Sequence, residues 1–268
     1  MGSGVPRIAV VGASGKTGSA ISGALSGRGA DVVPVGRAVW TRLPELFAGC
    51  DAVGIVAPNL YGDEPAFVAE VLAAVHGARV PRVSYHSVVA PYAPEMPHHL
   101  GKARSEDLVR RASVGWTILQ PCAYVQNFVP PLRSGAPGLE VPYDVHRPFG
   151  LVDLADVAEA TATVLLEDGH TGATYELGGP TLASVTDVAV VASDVLGRRV
   201  TASRLDPQSW TTGPGVTLGP RERDWLLAMF RYYDQHGLPA GGRVLGGLLG
   251  GRSTSLADTL ARELVPTK

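Results

Sequence analysis

A glycine-rich turn between a short apolar run and an amphipathic segment constrains the fold of this chain more than any other feature. Arg7–Val11 is branched and apolar, as expected of a buried strand. The turn Gly12-Ala13-Ser14-Gly15-Lys16-Thr17-Gly18 follows directly, with glycines at spacing three and three. Lys16–Gly27 then shows the helical spacing of Ile21 and Leu25. The pattern therefore predicts a strand–turn–helix unit.

Each glycine of this turn has a separate physical task. Gly12 permits the tight turn, Gly15 lets the backbone approach a pyrophosphate, and Gly18 allows the helix to pack closely on the sheet. The start of the helix offers unpaired N–H groups and a partial positive charge to phosphates. The turn differs from the phosphate loop of nucleotide triphosphatases, because only two residues separate Gly12 from Gly15 where that loop needs four. We therefore predict dinucleotide binding at residues 12–18.

Similar apolar runs recur along the first half and alternate with amphipathic segments. Strands are predicted at 7–11, 31–35, 51–56, 80–89 and 116–119, and helices at 16–27, 43–47, 65–76 and 99–111. This alternation predicts βαβ units and a parallel sheet, whose strands end at one ligand-binding edge. The expected fold class is α/β, a Rossmann-type doubly wound parallel sheet with a small C-terminal α+β substrate lobe.

The second half of the chain differs in composition. Residues 132–147 are rich in proline and glycine and are predicted to form loops. Helices are predicted at 152–166, 184–196 and 221–236, and short strands at 174–177 and 199–204. We assign residues 1–131 plus 148–170 to an NAD(P)-binding Rossmann core, and residues 132–147 plus 171–268 to a smaller substrate-binding lobe.

Net charge and cysteine content limit the kinds of partner and the cellular compartment that the sequence predicts. The formal net charge of −2 provides no basic field for nucleic acid. Cys50 and Cys122 are the only cysteines, which fits a reducing cytosol. The apolar run Ile8–Val11 is too short for a signal peptide or a membrane span. We expect a cytoplasmic protein with a small hydrophobic substrate and neither a nucleic-acid nor a membrane partner, and a homodimer is compatible with the sequence.

The end of the second strand indicates which dinucleotide binds. An acidic residue there would bind the ribose 2′-hydroxyl of NAD. This strand ends Val35-Gly36-Arg37, and no acid is nearby. The Arg37 guanidinium could instead pair with a 2′-phosphate, although it could also be an ordinary surface arginine. The sequence therefore favours NADP(H) as cofactor.

Several segments together resemble one known family in their order and spacing. They are Gly12–Gly18, Tyr85-His86-Ser87, Met96-Pro97-His98-His99 with Lys102, Trp116–Pro121 with Tyr124 and Asn127, Val152-Asp153 with Asp156-Val157-Ala158, and Gly172–Leu177. The chain resembles the NmrA-like branch of the atypical short-chain dehydrogenase/reductase family over nearly its whole length. That family includes NAD(P)H-dependent reductases of quinones, enones and imines, and also redox-sensing regulators that bind NADP without turnover.

The resemblance implies roles for the matched positions. It places Ser87 near the nicotinamide, Lys102 at the nicotinamide ribose, and Pro121 and Tyr124 beside the nicotinamide ring. The residues that it implies for the phosphates are Gly12, Ser14, Gly15, Lys16, Thr17 and Gly18, and those at the adenosine ribose are Ala57, Pro58 and Asn59.

Two departures from the family pattern concern the adenine pocket and the catalytic tyrosine. Typical members carry an extra strand after the second strand, whereas only about fourteen residues separate Arg37 from Asp51, so that strand is missing or reduced to Ala38–Trp40. Trp40 could cover the adenine in its place. No Tyr-x-x-x-Lys motif occurs in the chain.

Other side chains must therefore stabilise or protonate the developing anion of a reduction. The candidates are Lys102, His98, Ser87 and Tyr124. His98 lies four residues before Lys102, on the same helical face, and a histidine can donate a proton near neutral pH. Each has an ordinary alternative, such as a solvated lysine, a hydrogen bond of His98 or His99 in the turn after Pro97, or a strand-end bond for Ser87. No metal site is expected, because neither an acid nor a cysteine accompanies the histidine pair at metal spacing.

Three functions remain open on the sequence. The leading one is an NADPH-dependent reductase of a small hydrophobic carbonyl, quinone, enone or imine compound. The second is an NADP-binding redox sensor or regulator without turnover. The third is a non-redox cyclase or isomerase on the same fold with reduced cofactor use, which the shortened segment after Arg37 keeps open.

Overall fold

Six parallel strands form the central sheet of the protein, which a computed structural model describes over residues 4–265. The order is β2-β1-β3-β4-β5-β7. The bounds are β1 (Arg7–Val11), β2 (Asp31–Val35), β3 (Ala52–Ile55), β4 (Arg82–His86), β5 (Gly115–Pro121) and β7 (Ala173–Leu177). Two further strands, β6 (Gly138–Val141) and β8 (Thr201–Arg204), pair with each other in parallel as a separate ribbon.

Helices cover both faces of the sheet. Those beside the sheet are α1 (Lys16–Gly27), α2 (Leu43–Phe47), α3 (Glu64–Gly77), α4 (Pro97–Arg111) and α6 (Leu154–Leu166), whereas α5 (Val129–Arg133) packs near β6. Side chains alternate along each strand, so Ile8 and Val10 pack with α1 and α6, whereas Ala9 and Val11 pack with α2 and α3. Because both faces are buried, β3 and all of β1 after its first residue are apolar, whereas β4 also carries Ser84 and His86. This arrangement confirms the predicted doubly wound fold.

One predicted domain boundary is wrong. Residues 171–268 were assigned to the lobe, but β7 is the sixth strand of the core sheet and pairs with β5 from Thr117↔Ala173 to Pro121↔Leu177. The reason is that α6 packs on the sheet and a short loop after it returns the chain to the edge beside β5, which completes a βαβ unit. The proline- and glycine-rich stretch 132–147 also contains β6, where Leu139 and Val141 are buried.

The segment after β2 forms no strand. Arg37–Arg42, which includes the expected remnant Ala38–Trp40, is a 3₁₀ helix that leads directly into α2. Therefore β2 is an edge strand, and it contains Pro34 opposite Val10 of β1.

Five helices make up most of the lobe. They are α7 (Val185–Leu196), α8 (Pro207–Thr212), α9 (Pro220–His236), α10 (Arg243–Leu248) and α11 (Leu256–Leu264). The last helix is anchored to the core at the start of α6, where Asp153 Oδ2 accepts hydrogen bonds from Thr259 Oγ1 at 2.9 Å and Arg262 Nη2 at 2.6 Å. Asp153 also caps α6 through the amide of Ala155. Within residues 4–265, no helix combines the length and the apolar character that a membrane crossing requires.

Candidate functional site

The glycine turn lies at the carboxyl edge of the sheet, between β1 and α1. Gly12 has φ +82°, and a Cβ atom there would clash with the carbonyl oxygen of Val56. A Cβ atom on Gly18 would clash with the carbonyl oxygen of Gly12, so the start of α1 can pack against the turn only without a side chain. Gly15 differs, because its nearest neighbour would be the Gly12 oxygen at 3.4 Å. Space above Gly15 is therefore open to a ligand rather than filled by the protein.

The first turn of α1 leaves its donors free. Gly15 is the N-cap and provides no side-chain cap. Within residues 4–265, the amides of Lys16, Thr17 and Gly18 have no hydrogen-bond partner, and the first paired amide is that of Ser19, which donates to the Gly15 oxygen at 2.8 Å. Three unpaired N–H groups and the helix dipole form an anion site. The turn thus has the geometry required for a diphosphate.

Two cationic side chains lie near this anion site. Lys16 Nζ donates to Asn127 Oδ1 at 3.1 Å and lies 5.4 Å from the centre of the Tyr124 ring. Burial lowers the pKa of Lys16 from its usual value. Arg37 is exposed directly after β2 and has no ion pair within the described part of the chain. Its guanidinium is therefore available to an anionic ligand.

The loop after β3 reaches the same edge. Ala57 is buried, Pro58 is partly exposed and Asn59 is exposed. The Pro58 oxygen accepts the amide of Tyr61 at 3.3 Å, so the loop turns sharply before α3. These residues flank the glycine turn because β3 is the neighbour of β1.

Lys102 is buried in an ion pair rather than exposed on α4. Its Nζ donates to Glu64 Oε1 at 2.7 Å and to the carbonyl oxygen of His86 at 3.1 Å. Tyr85 Oη donates to the same Glu64 oxygen at 2.6 Å. Glu64 is 3% exposed, so these contacts hold the ammonium group firmly at the carboxyl end of β4. The side-chain cap of α3 is Asp63, and the sequence analysis did not include its neighbour Glu64 among the candidate residues.

The hydroxyl of Ser87 is already engaged. Ser87 Oγ donates to Glu106 Oε1 at 2.5 Å, and Gln120 Nε2 donates to the same oxygen at 2.7 Å. Arg110 Nη1 pairs with the other Glu106 oxygen at 2.9 Å. Since Glu106 is fully buried, Ser87 has a strong acceptor for its single proton. The Ser87 proton is thus directed to Glu106, which the sequence analysis missed, and donation by Ser87 to a substrate stays a prediction.

The two histidines at the start of α4 are neutral. Burial lowers the pKa of His98 to about 3 and that of His99 to about 4, with the Lys102 charge adding to both effects. His99 Nδ1 hydrogen-bonds the Ala90 oxygen at 3.1 Å, which is the turn contact considered for it. Burial disfavours the charged form of His98, so the proton donor predicted at this position would be the neutral imidazole, and that role stays a prediction.

Tyr124 follows β5 and Pro121 and contacts a histidine that the sequence analysis did not include among the candidate residues. Its hydroxyl lies 2.7 Å from His86 Nε2. Burial lowers the pKa of His86 to about 3 and raises the pKa of Tyr124 well above its usual value. Both groups are therefore neutral near pH 7. His86 Nδ1 is buried and has no hydrogen-bond partner among residues 4–265.

Helix α9 reaches from the lobe across this edge. The Trp225 ring lies 5.9 Å from the His98 ring, centre to centre. Arg221 lies against Gly62 in the loop before α3, where any larger residue would meet its guanidinium. Further along α9, Tyr233 is buried against Tyr143 and Phe149. The aromatic residues of α9 are thus divided, with Trp225 at the edge of the site and Tyr233 in the core.

A family model for the NmrA-like family matches residues 29–247. The chain belongs to the NmrA-like family. One curated relative, the (4-alkanoyl-5-oxo-2,5-dihydrofuran-3-yl)methyl phosphate reductase of Streptomyces griseus, is 27% identical over 71% of this chain and 74% of its own length. The family resemblance inferred from the sequence is therefore confirmed.

Solved structures of NmrA-like fold superpose over almost the whole chain. The NADPH complex of an NADPH-dependent quinone oxidoreductase from Escherichia coli is 20% identical, with a TM-score of 0.81 over 95% of this chain and 99% of its own. The NADP(H) complex of triphenylmethane reductase from Citrobacter sp. is 19% identical, with a TM-score of 0.80 over 96% and 100%. The negative transcriptional regulator NmrA in complex with NAD is 18% identical, with a TM-score of 0.76 over 97% and 95%. These likenesses show a shared fold.

This NmrA-like chain has an aromatic cluster beyond the edge strand β2. Trp40 stacks on Phe67 of α3, with ring centres 4.7 Å apart, and its Nε1 donates to Glu70 Oε1 at 2.7 Å. The Tyr61 ring also contacts Phe67, with ring centres 5.5 Å apart. Trp40 is therefore fixed to α3 beside the loops that follow β2 and β3. Whether it covers an adenine stays a prediction.

Proposed function

We propose that this protein is an NADP(H)-dependent reductase of a small hydrophobic carbonyl, quinone, enone or imine compound. The observation that carries the proposal is the open anion site at Gly15 and the three free amides of α1, on the same sheet edge as Lys102 and Tyr124. When bound, NADPH supplies a hydride. The residues that would hold it are Gly12, Ser14, Gly15, Lys16, Thr17, Gly18, Arg37, Ala57, Pro58, Asn59, Lys102, Pro121 and Tyr124.

Charge favours the phosphorylated dinucleotide. Arg37 is exposed and free of ion pairs within residues 4–265, and it directly follows the strand whose end reads the adenosine ribose in such folds. An arginine can bind a 2′-phosphate through two parallel hydrogen bonds. Arg42 lies nearby on the same segment but already pairs with Glu45. The two arginines therefore form a matched pair for testing.

Lys102 and Tyr124 are the residues that we assign to the reaction. Lys102 is held at the end of β4 and can orient a ribose hydroxyl with a fixed ammonium group. Tyr124 keeps its proton, because burial raises its pKa. In the tautomer of His86 that carries the proton on Nε2, the imidazole donates to Tyr124 Oη and leaves the phenol proton for a substrate oxygen. Tyr124 would thus stabilise or protonate the developing anion.

The substrate side of the site is aromatic where α9 meets α4, and the Arg221 guanidinium lies over the outer ring, that of Trp225, at 5.3 Å from its centre. Trp225 and uncharged His98 face each other where α9 meets α4, so this wall suits a flat hydrophobic compound. The Streptomyces griseus relative is named for a reduction of an unsaturated lactone that bears a methyl phosphate. We therefore favour an enone within the proposed substrate class.

Cofactor titration followed by turnover tests this function. Fluorescence titration should show NADPH binding more tightly than NADH, and Arg37→Ala should weaken NADPH by about tenfold, the loss of roughly one charged contact, while Arg42→Ala should not. Loss of reduced-cofactor absorbance is then followed with a quinone, an unsaturated lactone and a triphenylmethane dye, using Tyr124→Phe as the inactive control. Binding without turnover of any acceptor would instead support a redox sensor. Absence of binding at millimolar nucleotide would refute both and favour a cofactor-free cyclase or isomerase.

A further inference from the structure

Glu64 has a buried carboxylate oxygen with no partner. It is the first residue of α3, and its Oε1 accepts hydrogen bonds from both Lys102 and Tyr85. Its Oε2 is buried and has no hydrogen-bond partner in the described part of the chain. A carboxylate offers about four acceptor sites, and a buried one that lacks partners is costly to the folded state. The unpartnered Oε2 therefore indicates that Glu64 binds a donor that the protein does not itself provide.

Lys102 has a hydrogen-bond donor to spare beside this oxygen. An ammonium group has three protons, and the hydrogen bonds of Lys102 within residues 4–265 go to Glu64 Oε1 and to the His86 oxygen. One proton is left over. A free donor on Lys102 and a free acceptor on Glu64, joined through a 2.7 Å ion pair, match a hydroxyl group that accepts from the first and donates to the second. Two adjacent hydroxyls would satisfy the Lys102 donor and the Glu64 acceptor more fully than a single polar atom would.

The position of this pair agrees with such a ligand. Lys102 is fixed to the end of β4 by the His86 oxygen, and α3 begins directly after the loop that follows β3. The strands β3 and β4 are neighbours, and β3 also pairs with β1, which leads into the glycine turn. Glu64 thus lies on the same sheet edge as the proposed diphosphate site. The family resemblance assigns the nicotinamide ribose to Lys102 and gives no role to Glu64.

We propose that Glu64 is a cofactor-binding residue whose free oxygen accepts a hydrogen bond from a hydroxyl of the nicotinamide-side ribose. One carboxylate oxygen orients Lys102, and the other binds the ribose. Lys102 and Glu64 together then fix the two ring hydroxyls and so the position of the nicotinamide. The inference rests on the proposed function, since it requires that a nicotinamide dinucleotide binds at this edge.

Glu64→Gln tests this assignment directly. The amide can still accept from Lys102 and Tyr85 through its oxygen, but its other end is a donor that cannot accept from a hydroxyl. We expect Kd for NADPH and NADH to rise about tenfold, as for the loss of one hydrogen bond to a charged group. Binding of adenosine 2′,5′-bisphosphate, which lacks the nicotinamide ribose, should change less than about twofold. Binding is followed calorimetrically on the protein without added substrate.

Tyr85→Phe is the matched control. It removes the other hydrogen bond to Glu64 Oε1 and leaves Oε2 untouched. This variant should lose stability and retain its affinity for NADPH. A second measurement needs no variant: a NADPH analogue without the 3′-hydroxyl on the nicotinamide ribose, and one without the 2′-hydroxyl, are compared with NADPH on the unaltered protein. At least one should bind about tenfold more weakly.

The outcomes separate the two proposals. If the unaltered protein binds no NADPH, the proposed function fails. If it binds NADPH and Glu64→Gln binds equally well, or if that variant weakens NADPH and adenosine 2′,5′-bisphosphate alike, Glu64 is a structural residue and the inference is wrong. Equal affinity of NADPH and both deoxyribose analogues would overturn it as well, whether or not the variant folds.

Discussion

Replacing Gly15 by alanine should separate ligand binding from folding. Gly15 has φ −81° and ψ 162°, which alanine adopts readily, and its Cβ would meet nothing closer than the Gly12 oxygen at 3.4 Å. Alanine is a poorer N-cap than glycine by about 0.5–1 kcal/mol. The smaller conformational freedom of its unfolded state returns about 0.4–1 kcal/mol. The free energy of unfolding should therefore change by less than about 1 kcal/mol.

Binding should change much more than stability. The new methyl group would occupy the space above the free amides of α1 and displace a phosphate from at least one of them. One hydrogen bond to a charged group contributes about 1.5–3 kcal/mol, so Kd for NADPH should rise about 10- to 150-fold. NADPH fluorescence titration measures Kd, and urea unfolding in the same buffer measures stability.

Substitutions at two other glycines serve as controls for this test. Gly23 is exposed on α1, and nothing lies within 4 Å of a Cβ there, so Gly23→Ala should stabilise the helix by up to about 1 kcal/mol and leave Kd unchanged. Gly18→Ala should destabilise the fold, because its Cβ clashes with backbone. The reasoning fails if Gly15→Ala binds NADPH like the unaltered protein, or if it unfolds as readily as Gly18→Ala.

The remaining predictions concern buried charge. Asp153→Asn should lower the free energy of unfolding by about 1–3 kcal/mol at pH 7 by breaking its ion pair with Arg262, whereas Asp107→Asn at an exposed pair should change it by less than about 0.5 kcal/mol. Hydrogen bonds from Arg262 and neighbouring groups lower the pKa of Asp153 despite its burial, so its contribution should be full above pH 4 and fade as acid protonates the folded state; urea titrations at several pH values measure this. His98 and His99 should stay neutral in the folded protein down to about pH 4 while the unfolded chain charges them near pH 6.5, so they reduce stability below pH 6.5. A change of the imidazole NMR shifts of His98 or His99 between pH 5 and 8 would contradict this prediction.

Local patterns identified the core elements, whereas contacts between distant residues decided the site. The glycine turn could be predicted because strand, turn and helix are adjacent in sequence. Glu64 could not be distinguished from Asp63, since its partners Tyr85 and Lys102 lie 21 and 38 residues away. The sequence could not reveal that the Ser87 hydroxyl is hydrogen-bonded, because its acceptor Glu106 lies in another element.

Pattern length explains the errors in the second half. The strand β6 has four residues within a proline- and glycine-rich stretch, and only the alternation of Leu139 and Val141 indicated it. The place of β7 in the main sheet depends on where α6 returns the chain, which a five-residue run cannot reveal. The neutral state of His98 depends on burial, which follows from tertiary packing rather than from local sequence.

Pro34 hinders another strand from pairing with the outer side of the edge strand β2. The amide of Asp31 points to β1, where it donates to the Pro6 oxygen, so the alternate positions Val32 and Pro34 face outward. A proline there has no N–H to offer, and it interrupts the row of donors that another chain would need in order to extend the sheet. Strand-to-strand association through β2 is therefore disfavoured, so a homodimer of this protein should not form by extending the sheet at this edge.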